Sequence, residues 1–168
     1  MTSFLAIKPV YQYSFNNSQL CTINQSEIGT TKIGAIGKFG YAFQGIGCHI
    51  LATALPDTIP LYRYSFSTYK NMYSTNWDDV NQKAGGQLSA SQQINAILGY
   101  VHSKSCPGTC PLYRYYKADC DQYYHTIYPC EIGTITVGEI GVKNYQCQGI
   151  AAYVYTTLSA CPIGLTAC

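Results

Sequence analysis

Pro60-Leu61-Tyr62-Arg63-Tyr64 decides how this chain is read, because the same pattern stands 51 residues to either side, as Pro9-Val10-Tyr11-Gln12-Tyr13 and Pro111-Leu112-Tyr113-Arg114-Tyr115. A second block agrees between the outer copies. Glu27-Ile28-Gly29-Thr30 with Ile33-Gly34 returns 104 residues later as Glu131-Ile132-Gly133-Thr134 with Val137-Gly138, and Gln44-Gly45-Ile46 returns at the same offset as Gln148-Gly149-Ile150. A fixed period of this length marks a repeat architecture, in which each copy buries its apolar face only against its neighbours. The repeats run over about 9–59, 60–110 and 111–161, within one domain spanning residues 1–168.

Each copy opens on alternating residues of high strand propensity, such as Leu112-Tyr113-Arg114-Tyr115-Tyr116, and continues through a polar turn into a second short strand such as Gln122-Tyr123-Tyr124-His125-Thr126. A Gly-rich stretch follows in the outer copies, where Gly29, Gly34, Gly37 and Gly40 oppose a helix. Repeat 2 reads Gln87 to Ala96 at this place, a run suited to a short helix. Each copy closes on an apolar strand, at Gly45 to Leu51, Ala96 to Val101 and Gly149 to Tyr155. The expected fold is mainly β, with three repeats closed about a pseudo-threefold axis, either β-trefoil-like or β-prism-like, and minor helix in repeat 2. Such closure would bury one shared core and protect the sheet edges.

Charge narrows the function. The 168 residues carry a net charge of +2, and charged side chains make up 11% of them, against about 25% in an average domain. Nucleic acid and insertion into a membrane are therefore not expected. The start, MTSFLAIKPV, lacks a basic stretch and a long apolar run, so the expectation is a mature sequence without a signal peptide. Nine cysteines point to an oxidising, extracellular setting. The sequons Asn16-Asn17-Ser18 and Asn24-Gln25-Ser26 make Asn16 and Asn24 glycosylation candidates. An odd cysteine count leaves at least one thiol without an internal partner, and the terminal Cys168 is the candidate for an intermolecular disulfide that joins a homodimer. His102-x3-Cys106-x3-Cys110 has no fourth ligand at zinc-finger spacing and reads as a disulfide-closed turn, so no metal and no cofactor are expected.

The motifs Leu61-Tyr62-Arg63-Tyr64, Asp121-Gln122-Tyr123-Tyr124-His125-Thr126 and Gln148-Gly149-Ile150-Ala151 resemble a tandem repeat family of secreted invertebrate, fungal and bacterial proteins. Its units read LYRYYN, GDHFYTTN, EIGT and YEGIACYVF in order, often beside carbohydrate-active domains. The resemblance implies an extracellular, glycan-associated module without a defined activity. Where the family has histidine before its second strand, this chain is aligned with Gln19, Asn71 and Gln122, amides able to pair with sugar hydroxyls or to stabilise a turn.

No nucleophile with a base, no paired carboxylates of recognisable spacing and no metal motif emerges, so an enzyme is not expected. A carbohydrate-binding module fits better, because neutral sugars are held by aromatic faces and a few fixed polar groups. The candidate ligand-binding residues are Gln19, Asn71 and Gln122, Tyr62 with Arg63, Tyr113 with Arg114, and Trp77 with Asp78 in a polar turn. Burial in the core is the competing reading for the tyrosines. Gln12 replaces the arginine in repeat 1, so an arginine-dependent site should be missing there. The expected partners are glycans or glycoproteins. The rival expectation is an extracellular matrix or adhesive protein that self-associates through tyrosines and disulfides.

Overall fold

The computed structural model describes residues 6–67, 70–76, 94–162, 164–165 and 168. Among these, nine strands form one antiparallel sheet: β1 (Ile7–Phe15), β2 (Ser18–Thr22), β3 (Ala42–Leu51), β4 (Thr58–Ser67), β5 (Lys70–Ser74), β6 (Ile94–His102), β7 (Thr109–Lys117), β8 (Gln122–Thr126) and β9 (Gln146–Tyr155). The chain is mainly β, as its strand-forming pattern demands. Most of the helix expected over 87–96 lies outside the described residues. Its last three residues belong to β6 instead, where Ile94 and Ala96 pair with Tyr64 and Arg63. Intrinsic helix propensity yields there to a backbone ladder with β4.

Three consecutive units share one layout: a hairpin, β1-β2, β4-β5 or β7-β8, whose first strand also pairs with the unit's closing strand, β3, β6 or β9. Asn16 and Asn17, with φ of 46° and 64°, form the two-residue turn of the first hairpin, as suits residues that tolerate left-handed backbone. The closing strands meet one another through single pairs, Leu51 with Tyr100, His102 with Tyr153 and His49 with Tyr155. Beside these pairs lie Ile50, Val101 and Val154, each at most 1% exposed. They belong to a core cluster that also takes Val10, Leu61 and Leu112 from the first strand of each unit.

The glycine-rich loops of units 1 and 3 fold alike. The Lys38 amide donates to the Ile28 carbonyl at 2.8 Å, and the Val142 amide to the Ile132 carbonyl at 2.9 Å. Gly37 and Gly141 pass so close to those carbonyls that a Cβ would lie 2.3 and 2.1 Å from the oxygen, so only glycine fits. From the first strands, the Tyr13 and Tyr115 hydroxyls donate to the Thr30 and Thr134 carbonyls, each at 2.8 Å. Tyr13 and Tyr115 therefore brace these loops from the interior.

Two disulfides, Cys110–Cys161 and Cys130–Cys168, close within the chain. Cys168 thus has a partner inside the molecule, which corrects the intermolecular assignment. Cys110 bonds Cys161 rather than closing a turn with Cys106. The unpaired thiols are Cys21, Cys48 and Cys147, which are buried, and Cys106 and Cys120, which are partly exposed. Sequence spacing favoured local closure, whereas packing brings residues 51 positions apart together. Among the described residues, no helix is long and apolar enough to cross a membrane.

Candidate functional site

The sites expected from sequence are largely engaged in joining the units. Gln19 is buried, its amide nitrogen donating to the His125 carbonyl at 2.8 Å and its oxygen accepting the His125 amide at 2.8 Å. Asn71 donates to the Gln19 carbonyl at 3.3 Å, and Gln122 donates to the Asn16 carbonyl at 3.2 Å; both side chains are buried. Pairing register also corrects their alignment. Gln19, Asn71 and Tyr123 lie opposite Ser14, Ser65 and Tyr116, whereas Gln122 stands in register with Ser18 and Lys70. The three amides are therefore not equivalent, because the third hairpin has a longer turn that shifts the match by one residue.

Two positions further along, the unit-joining contacts repeat. The Tyr73 hydroxyl meets the backbone amide and carbonyl of Cys21, so the second unit holds the first. His125 places Nε2 3.0 Å from the Tyr73 carbonyl, so the third holds the second. A carbonyl only accepts, so Nε2 carries the proton. Burial, followed by the nearby Arg114 charge, lowers the His125 pKa to about 3 and keeps the ring neutral. Cys21 stands in the same register position but is too short to continue the series, and Gln19 makes the contact from the first unit to the third.

Tyr113 is buried, while Tyr62 is half-buried and packs against the cluster around Tyr64. Arg114 donates to the Gln148 side chain at 2.9 Å. Arg63 forms an ion pair at 2.8 Å with Glu27 of the neighbouring unit. Trp77 and Asp78 lie outside the described residues. Asn16 and Asn24 are both exposed. The Asn24 side-chain oxygen accepts from the Ser26 amide at 3.1 Å and caps the short helical turn Gln25–Glu27.

An open cleft of about 550 Å³ lies between the first and third units. The first unit contributes Gln12 and Ser14 from β1, Asn17 from the hairpin turn and Gln44 from β3. The third contributes Tyr124 and Tyr145, Glu131, and the cations Lys117 and Lys143. Tyr124 and Tyr145 are inclined at 45° with ring centres 5.8 Å apart. The Tyr124 hydroxyl donates to Glu131 Oε2 at 2.9 Å. Burial and the adjacent carboxylate both raise its pKa, so it remains a donor at neutral pH. Lys117 lies over the Tyr145 ring, 5.8 Å from its centre, and 3.8 Å from an Asp119 oxygen. Glu131 sits on the helical turn Pro129–Glu131, next to the Cys130–Cys168 disulfide that ties this turn to the chain end.

Of the expected site residues that the structure describes, Gln19 alone borders this cleft. Sequence reading missed Glu131, Tyr124 and Tyr145 because their meeting with Gln12 depends on two units packing together. One signal did exist. Gln12 interrupts the arginine pattern, and it stands at the open cleft. No curated protein and no solved structure matches this chain. Residues 10–155 match the model of a family described as a domain of unknown function (DUF5648), and the chain belongs to that family.

Proposed function

We propose that this protein is a secreted carbohydrate-binding module and that the cleft between the first and third units holds the sugar. The cleft itself carries the proposal. It joins an aromatic wall, Tyr124 and Tyr145, to amide, carboxylate and ammonium groups that can pair with hydroxyls, within a volume suited to a short oligosaccharide. In this reading the three units sit about a pseudo-threefold axis, supported by the three mutual pairs of β3, β6 and β9. The two intrachain disulfides are consistent with an extracellular setting.

The test is a glycan array with oxidised protein, repeated with Tyr124→Ala after its fold has been checked by circular dichroism. The expected result is a signal competed by free sugar and weakened at least about tenfold in the variant. A blank array from folded wild-type protein would overturn the reading.

One observation favours the rival reading, a self-associating matrix protein. The glycine-rich loops expose Ile33, Ile36 and Phe39 in unit 1, and Val137 and Ile140 in unit 3, all at more than 60% exposure. Concentration-dependent assembly in light scattering, insensitive to sugar and abolished by Ile36→Ser with Ile140→Ser, would favour it.

A further inference from the structure

The first and second units meet as the third and first do, so the open cleft has a counterpart to be measured against. Strand register places Arg63 where Gln12 stands in the first unit: Arg63 lies opposite Tyr73 and Gln12 opposite Cys21. Glu27 and Glu131 likewise hold one position, each ending a three-residue helical turn before a buried isoleucine, Ile28 or Ile132. In the counterpart, the Arg63 guanidinium reaches across and binds Glu27 at 2.8 Å, with side-chain exposures of 15% and 27%. In the open cleft, Gln12 replaces the guanidinium, and its amide nitrogen reaches the His125 carbonyl at 3.4 Å. Among the described residues, Glu131 forms no ion pair, and it accepts from the Tyr124 hydroxyl. Tyr124 occupies the register position of Leu20, so this donor is absent beside Glu27.

We propose that the cleft recognises an amino-bearing saccharide, whose ammonium group takes the place beside Glu131 that Arg63's guanidinium takes beside Glu27. This inference rests on the carbohydrate-binding reading and narrows it. A carboxylate set at the edge of a cleft gives a charge-assisted hydrogen bond to a cationic donor, stronger than one to a neutral hydroxyl. Tyr124 holds the second carboxylate oxygen and fixes the direction of the first. Tyr145, buried at 7% exposure, borders the cleft and receives Lys117 in a cation–π contact. Lys117 is answered by Asp119 at 3.8 Å, while Lys143 is exposed at the rim and weakens the preference for a cation. The second unit also explains why valency should be low, since its arginine already fills the equivalent position against the first unit.

The experiment compares two glucosamine hexamers by calorimetry, one fully de-acetylated and one fully N-acetylated, at a pH where the free amines are protonated. Wild-type protein is expected to bind the de-acetylated hexamer at least about tenfold more tightly, in keeping with a charge-assisted contact. Glu131→Gln, which keeps size and shape, should reduce that affinity to the level of the acetylated hexamer. Gln12→Arg should restore the ion pair of the counterpart and abolish binding of both. Equal affinity for the two hexamers, or a preference untouched by Glu131→Gln, overturns the amine assignment and leaves the carbohydrate reading standing. No binding of either hexamer, with a cleft-dependent neutral sugar on the array, overturns the amine assignment alone. A blank array overturns both.

Discussion

Units 1 and 3 use the same loop but secure it differently. In each, a glycine lies against an isoleucine carbonyl and a buried tyrosine ties the first strand to a threonine carbonyl. Unit 3 adds two disulfides, whereas the thiols of unit 1, Cys21 and Cys48, remain unpaired in the core. Unit 3 also places a neutral histidine, His125, where unit 1 places Cys21. The loop conformation is thus dictated by sterics and hydrogen bonds shared by both units, while covalent and ionisable features were added to one. It is on the added side, around Glu131 and Tyr124, that the cleft opens.

Removing the staple is the most severe test of the difference between units 1 and 3. Cys110→Ser with Cys161→Ser should lower stability by about 4 kcal/mol, from the chain entropy of a loop of this length, measured by urea denaturation. If unit 3 needs no more support than unit 1, the loss will be far smaller and the loops will be shown to be self-sufficient.

Acid provides the next contrast. The His125 pKa in the folded chain, about 3, lies below the ordinary value of 6.5, so the unfolded chain binds the proton more readily between these limits. Its contribution is fully present above about pH 6.5 and is lost as pH falls towards 3. By pH 4 the loss from this group should reach about 3 kcal/mol. Cys21, pushed up to about 12 chiefly by burial, has no transition in that window. Melting temperatures measured from pH 7 to 4 should fall steeply for the wild type and less steeply for His125→Gln. Parallel curves would show that other groups set the acid sensitivity.

The smallest expected effect falls on the shared feature. Tyr13→Phe and Tyr115→Phe should each cost about 1 to 2 kcal/mol, because each leaves a threonine carbonyl without its donor. Near-equal losses in chemical denaturation would confirm that the two loops are braced alike. A clear inequality would show that the disulfides of unit 3 take over the role of its tyrosine.

Local pattern alone located the opening strand of each unit. Alternation in Leu112 to Tyr116 and in its counterparts predicts paired strands, and β1, β4 and β7 lie there. The matched blocks at Glu27 and Glu131 predicted one loop built twice, because steric demands such as those at Gly37 and Gly141 are local and leave a local mark. What met what across units was decided by the tertiary structure. Gln19, Asn71 and Gln122 are polar and turn-like in sequence, yet they are buried, since long-range packing brings each within reach of a neighbouring unit's carbonyl. Cys168 finds Cys130, and Glu131 meets the cleft left by Gln12, only once the chain is folded. Local rules act along a strand, but a hydrogen bond across 106 residues depends on where the units dock.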